Sequence, residues 1–310
     1  MCLVNRQQLL FHAYKRDTYL HINNQTYVSW LDTIAGGLIG EDIREVGDLT
    51  ALALLKQNPV RRAQILVKQT GILAGIEEAT WLLQQHDISV QTFYRDGEKI
   101  QGGDVLIAME GKMADLLILE RVVLNLLQRM SGIATATYDL TAKCAPLLIA
   151  ATRKTPWGSL DNKAVAVGGG ATHRLGLWES ILIKDNHLVG LGIETVLRRA
   201  WLYRNKAVFI EIEVENSSQA VEAAETFMKL QNDTHDTPCI IMFDNFLVGT
   251  IKKTVELLKR KKLYDRVLLE ASGGITLVNI INYKNLGVDV VSLGCLTHSA
   301  SALDISMRVL

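Results

Sequence analysis

The stretch Val208-Phe209-Ile210-Glu211-Ile212-Glu213-Val214-Glu215 opens on an apolar run and closes on three carboxylates at every second position. A strand sends alternate side chains to opposite faces, so Glu211, Glu213 and Glu215 share one face. Five other short runs have the same apolar character: Leu147-Leu148-Ile149-Ala150-Ala151, Ile181-Leu182-Ile183, Ile240-Ile241-Met242-Phe243, Val267-Leu268-Leu269 and Val288-Asp289-Val290-Val291. Strands this continuously apolar are those of a parallel sheet buried on both faces. From start to start the six runs are 34, 27, 32, 27 and 21 residues apart. That spacing suits repeated strand-helix units of roughly 30 residues. Six or seven such units make a barrel or an open doubly wound sheet, and the missing dinucleotide-type glycine fingerprint favours the barrel.

Upstream the text changes. Gln64-Ile65-Leu66-Val67 and Val90-Gln91-Thr92-Phe93-Tyr94 read as strands, the second followed by the tight-turn dipeptide Asp96-Gly97, and Gly102-Gly103 precedes Val105-Leu106-Ile107. Leu116, Leu119, Val123, Leu126, Leu127 and Met130 recur at helical spacing and predict a helix over 115–130. The expected division is a small α+β domain over 1–130, joined by a C-terminal tail over 299–310, and a barrel over 131–298.

Composition narrows the function classes. In 310 residues, 48% are hydrophobic, and 33 basic side chains balance 33 acidic ones. No global field would hold nucleic acid or an anionic membrane, so any anion site arises from local clustering. Cysteines at 2, 144, 239 and 295 match neither a metal knuckle nor a disulfide framework. With no leader pattern and no apolar run of the roughly 18 residues a span requires, the expected location is the cytoplasm.

In a parallel barrel the chemistry collects in the loops after the strands. Those loops carry Arg153 and Lys154, then His173 and Arg174, Lys184, Glu213, Asp244, Ser272-Gly273-Gly274 and Gly294. The cations suit a substrate rich in carboxylate or phosphate, arginine as a bidentate fork and lysine as a point charge. Backbone N–H groups of the late glycine loops suit a phosphate. Glu213 and Asp244 suit a hard cation such as Mg²⁺, sugar hydroxyls, or positive charge developing on a ribose carbon. Taken singly, each residue has a blander reading. A loop Arg or Lys is ordinarily a solvated charge, Arg121 on a helix is ordinarily exposed, His173 and His187 suit core or loop roles, and Glu211 and Glu215 suit surface ion pairs. The coincidence of nearly every polar cluster with a strand end tips the balance toward a site for an acid plus a phosphorylated sugar.

Further strings occur in a telling order: Glu120-Arg121, Ser131-Gly132-Ile133-Ala134-Thr135, Thr152-Arg153-Lys154-Thr155, Gly168 to Gly170 with His173-Arg174, Lys184-Asp185-Asn186-His187, Glu213-Val214-Glu215, Asp244-Asn245, Glu270-Ala271-Ser272-Gly273-Gly274, and Leu293-Gly294 with Thr297-His298-Ser299. From about Gly47 onward the chain closely resembles the quinolinate phosphoribosyltransferases. The resemblance implies an N-terminal α/β sandwich beside an incomplete parallel α/β barrel, assembled as a homodimer or larger homo-oligomer. It implies transfer of phosphoribosyl from phosphoribosyl pyrophosphate to quinolinate, with decarboxylation, on the route to NAD. Carried over by position, Arg153, His173, Arg174 and Lys184 would bind the quinolinate carboxylates, with Arg121 arriving from a neighbouring subunit. Lys154 and Lys184 would face pyrophosphate. Glu213 and Asp244 would handle Mg²⁺ and ribose, while Ser272, Gly273, Gly274, Gly294 and His298 would line the phosphate end.

After Thr155 the chain departs from the family pattern, with Pro156-Trp157-Gly158-Ser159 in place of a second threonine and Pro-Gly. Ala151 and Thr172 also stand where aspartate and asparagine are frequent. The alternatives are therefore a related enzyme using nicotinate or another aromatic acid without decarboxylation, and a non-catalytic barrel that binds phosphorylated ligands.

Overall fold

The computed structural model describes residues 5–231 and 237–310. In chain order its elements are α1 (Arg6–Tyr14), α2 (Gln25–Ile43), α3 (Leu49–Leu54), β1 (Val60–Val67), β2 (Gly71–Ile72), α4 (Ile76–Gln85), β3 (Ser89–Thr92), β4 (Lys99–Ile100), β5 (Val105–Lys112) and α5 (Met113–Cys144). There follow β6 (Leu148–Ala150), α6 (Ser159–Val167), β7 (Ile181–Ile183), α7 (Asp185–Leu188), α8 (Ile193–Trp201), β8 (Ile210–Val214), α9 (Ser217–Gln231), β9 (Cys239–Asp244), α10 (Val248–Arg260), β10 (Leu268–Ser272), β11 (Val290–Ser292), α11 (Cys295–His298) and β12 (Ile305–Val309). They form two compact units. One holds the chain up to Arg16, Asp139–Thr155 and Gly170–His298; the other holds Asp17–Tyr138, Pro156–Gly169 and Ser299–Leu310.

In the first unit all six apolar runs become strands of one parallel sheet, ordered β6-β11-β10-β9-β8-β7. The arrangement is an open, incomplete barrel. Its interior can be read in layers, because alternate residues of each strand point the same way. The lowest layer is apolar: Phe209, Ile240, Leu268 and Val290 pack with Ala150 and Ala171. Two positions further along come Glu211, Met242, Glu270 and Ser292, and two beyond those Glu213, Asp244 and Ser272.

Helix α1, in a stretch where the sequence had suggested no element, contributes Ala13 and Tyr14 to the apolar layer. Its start carries a reciprocal cap, in which the Asn5 side chain accepts from the Gln7 N–H and Gln8 Oε1 accepts from the Asn5 N–H. Arg6 clamps Asp289 with both prongs of its fork, at 2.7 and 2.6 Å. Burying an aromatic side chain such as Tyr14 contributes roughly 1.5–3 kcal/mol.

The second unit is built on an antiparallel sheet ordered β12-β1-β5-β3, with the pair β2-β4 beside it in sequence. Along β1 the alternating Ala63, Ile65 and Val67 are buried. The strands run further than the apolar letters alone suggest, β1 from Val60 and β5 to Lys112. Asp96-Gly97 does turn, but it joins strands that are not each other's partners: β3 pairs with β5 and β4 with β2. Helix α5 extends to Cys144, well past the expected end at Met130. Gly132 does not interrupt it. A Cβ there would lie 1.8 Å from the Ser301 carbonyl oxygen, so the glycine serves a close approach of two backbones.

The stretch that departs from the family pattern folds into this second unit. Arg129 forks onto Asp161 at 2.8 and 2.7 Å and lies over the Trp157 ring, while Trp30 Nε1 donates to the Trp157 carbonyl. Deeper in, Lys163 meets Glu77, Glu78 (2.5 Å) and Asp96 (3.7 Å), and the Tyr27 hydroxyl donates to Glu78 at 2.7 Å.

No helix among the described residues is long and apolar enough to cross a membrane. Cys144, Cys239 and Cys295 are not in disulfides, and Cys2 lies outside the described residues.

Candidate active site

A cavity of about 570 Å³ opens at the C-terminal ends of the barrel strands. Its lining includes Arg153, Lys154, His173, Arg174, Lys184, Glu213, Asp244, Ser272, Gly273 and Gly274, drawn from six separate strand ends and loops. Gly294 and His298 adjoin Lys154: a Cβ on Gly294 would lie 3.0 Å from His298 Cδ2 and 3.2 Å from Lys154 Cδ. Arg121 is not in the lining; it is exposed on α5, in the other unit. The variant residues Pro156 to Asn162 are likewise not in the lining, whereas Ala151 is.

Lys184 Nζ lies 2.6 Å from Glu213 Oε1. Burial raises the Glu213 pKa and neighbouring Asp244 adds to the rise, while Lys184 opposes it. Arg174 is anchored through Nη1 to the Ser180 carbonyl at 3.1 Å. Burial and the proximity of Arg153 lower its pKa, although a guanidinium remains charged throughout the accessible pH range. An anion bound between Arg153 and Arg174 would relieve that repulsion. Lys184 begins α7, whose first turn is closed by its own N–H donating to His187 Nδ1 at 3.0 Å. His187 thus shapes the Lys184 loop and lies outside the cavity lining.

Glycine is required at position 273. Its φ is +89°, and a Cβ would fall 2.3 Å from Asn245 Oδ1 and 2.8 Å from the Asn245 backbone nitrogen. The β10 loop therefore passes against the β9 loop and turns bare backbone to the cavity.

Beneath the cavity lies a buried ionic layer. His173 has φ +48° and is 6% exposed; its Nε2 is 3.1 Å from Glu211 and 3.5 Å from Glu270, both wholly buried. Burial works against charge on the imidazole, but Glu270 and Glu211 outweigh it and push the pKa up to about 9. Burial and Glu211 push Glu270 up to about 7, against the pull of His173. Glu211 thus lies in the barrel interior and forms no surface ion pair. Its face was legible from alternation, but its depth was not. Glu270 and Tyr14 had no role in the sequence reading. The signal for Glu270 was its place two residues before Ser272 on an apolar strand, which puts it one layer below the cavity.

A family model described as the C-terminal domain of quinolinate phosphoribosyl transferase matches residues 133–308, and the corresponding N-terminal domain matches residues 48–131. A probable nicotinate-nucleotide pyrophosphorylase (carboxylating) of Methanothermobacter thermautotrophicus is 38% identical over 282 residues, covering 88% of this chain and 98% of that protein. A protein of Bacillus subtilis with the same description is 38% identical over 278 residues, covering 87% and 90%. Among solved structures, NadC from Streptococcus pyogenes superposes with a TM-score of 0.78 at 29% identity, over 90% of this chain and 96% of that one. Human nicotinic acid phosphoribosyltransferase, at 10% identity and a TM-score of 0.55 over 90% and 73%, shares the fold alone.

Proposed function

The chain belongs to the quinolinate phosphoribosyltransferase family, and from that premise we propose that the barrel cavity transfers phosphoribosyl from phosphoribosyl pyrophosphate to quinolinate, yielding nicotinate mononucleotide, pyrophosphate and CO₂. The enzyme is a pentosyltransferase of NAD biosynthesis, working in the cytoplasm. One observation supports this above the rest: Arg153, Lys154, His173, Arg174 and Lys184 line a single cavity together with Glu213 and Asp244. A diacid needs the cations and a developing ribosyl cation needs the carboxylates.

Arg153, His173 and Arg174 hold the two ring carboxylates, with Lys184 between acid and pyrophosphate, and Lys154 on the pyrophosphate side. Ser272, Gly273, Gly274 and Gly294 offer polar hydrogens to the 5′-phosphate, beside His298. As the bond from the anomeric carbon to pyrophosphate oxygen breaks, Glu213 and Asp244 stabilise the positive charge on the ribose. The pyridine nitrogen attacks from the opposite face. The resulting cationic ring stabilises the electron pair left when the carboxylate next to nitrogen departs as CO₂, and a proton from solvent then completes the C–H bond at that carbon. Glu213 and Asp244 are oxygen donors on adjoining strands and fit Mg²⁺. Bound there, the ion would offset charge on the departing pyrophosphate.

Two forks for two carboxylates also separate quinolinate from nicotinate, since a monoacid leaves one of the two guanidiniums without its carboxylate. Incubating purified protein with Mg²⁺, phosphoribosyl pyrophosphate and either acid tests the reading. Quinolinate-dependent release of CO₂ is expected; turnover of nicotinate alone would overturn it. Arg121 is assigned to the neighbouring site of a homodimer. Mixing Arg121→Ala subunits with Lys184→Ala subunits should restore part of the activity that each variant lacks, and failure of every mixture removes Arg121 from the site.

A further inference from the structure

The family models begin at residue 48, yet the segment Arg6–Arg16 reaches the floor of the cavity. Tyr14 is wholly buried, stacked on Phe209 with centroids 5.9 Å apart and edge-on to His173 at 5.8 Å. Its hydroxyl donates to Glu270 at 2.5 Å, and Glu270 is one of the two carboxylates that face His173. The segment also grips the loop that carries His173 and Arg174 on both sides. Before it, the Tyr14 carbonyl accepts from the Thr172 N–H at 3.0 Å and from Thr172 Oγ1 at 3.1 Å, and Lys15 donates to the Gly170 carbonyl. After it, Arg16 pairs at 2.9 Å with Glu179, which is 3% exposed and also accepts from the Leu175 N–H.

We propose that the N-terminal segment is a positioning element of the acid subsite: Tyr14 fixes Glu270, and through it His173, while Tyr14 and Arg16 hold the ends of the loop that presents His173 and Arg174 to the substrate carboxylates. His173 has a positive φ of 48°, a backbone conformation uncommon outside glycine, so the loop's ends must be held for it to persist. Hydrogen bonds from Thr172 to the Tyr14 carbonyl at one end and the Arg16–Glu179 ion pair at the other supply that constraint. Tyr14 itself does not line the cavity, so it acts through His173 and touches no substrate.

The inference rests on the reading of His173 and Arg174 as ligands of the acid. Tyr14→Phe keeps the ring and removes only the hydroxyl. It should raise KM for quinolinate roughly fivefold or more, as loss of a hydrogen bond to a charged group does, and leave KM for phosphoribosyl pyrophosphate and kcat within twofold. Arg16→Gln, at the more exposed end, should act in the same direction and keeps the test open if Tyr14→Phe folds poorly. In ¹⁵N-histidine-labelled protein, the imidazole resonances assigned by loss in His173→Gln should move in Tyr14→Phe. If His173→Gln raises KM for quinolinate while Tyr14→Phe and Arg16→Gln leave both KM and the His173 resonances in place, the positioning role is wrong and the acid subsite stands. Should His173→Gln itself leave that KM unchanged, the subsite reading falls and takes the inference with it.

Discussion

Each unit of this protein buries a cation among carboxylates beneath a tyrosine hydroxyl. In the barrel the set is His173, Glu211, Glu270 and Tyr14; in the sandwich unit it is Lys163, Glu77, Glu78, Asp96 and Tyr27. The two differ in what they adjoin. Lys163 contacts all three of its carboxylates, and Glu78 Oε2 is left without a hydrogen-bond partner among the described residues. In the barrel set, Glu211 Oε2 meets His173 Nε2 at 3.1 Å, Glu211 Oε1 and Glu270 Oε1 have no hydrogen-bond partner among the described residues, and the layer above opens onto the cavity. A buried ionic cluster away from a cavity locks packing, whereas one next to a cavity can orient groups toward a ligand.

The largest expected effect probes the ligand side of that contrast. Arg174→Ala should lower kcat/KM for quinolinate by about 10²–10³-fold, the scale seen for removal of a single preorganised charged or hydrogen-bonding group. Its circular dichroism and melting transition should remain those of a folded protein; retention of full activity would misplace the pocket. On the other side, Lys163→Met leaves the buried Glu78, with half-buried Glu77 and Asp96, without their cation and should cost about 3–5 kcal/mol of stability in urea unfolding. The protein that remains folded should keep its kinetic constants for both substrates. A Lys163→Met enzyme with a raised KM for quinolinate would erase the distinction between the clusters.

The pH dependence gives a smaller and subtler effect. Burial and Glu78 push Asp96 up to about 7. The folded state therefore holds this proton more tightly than the unfolded chain, so the stability associated with it is full below about pH 4 and is lost as pH rises toward 7. Glu270, also raised to about 7, has the same sign. Replacing Asp96 by Asn should flatten the loss, so that the gap between variant and wild type widens by at most about 1.4 kcal/mol per pH unit between 4 and 7. Chemical denaturation at several pH values measures it, and a gap that narrows over the window refutes the assignment.

The sequence made the barrel legible because its strands are buried on both faces, which leaves runs such as Ile240 to Phe243 with no polar letters to confuse. The cavity residues were legible because strand ends carry them. Depth was harder to read. Glu211 and Glu213 share a face, but whether a side chain faces solvent, ligand or core depends on how far along the barrel it lies, and alternation is blind to that. The end of α5 was missed because Ser131-Gly132 looks like punctuation, and only the approach of Ser301 explains the glycine. Tyr14 was missed as well, although Asn5 to Gln8 had the letters of a capped helix start; a helix this short owes its stability to the barrel it docks on.

The pairing of β12 with β1 places Ala63 opposite Val309. During synthesis Val60–Val67 emerges early, and its outer edge stays without a neighbour while the ribosome makes the whole barrel. An open strand edge invites association with other chains. Ile305–Val309 therefore closes that edge only after every barrel strand has been made.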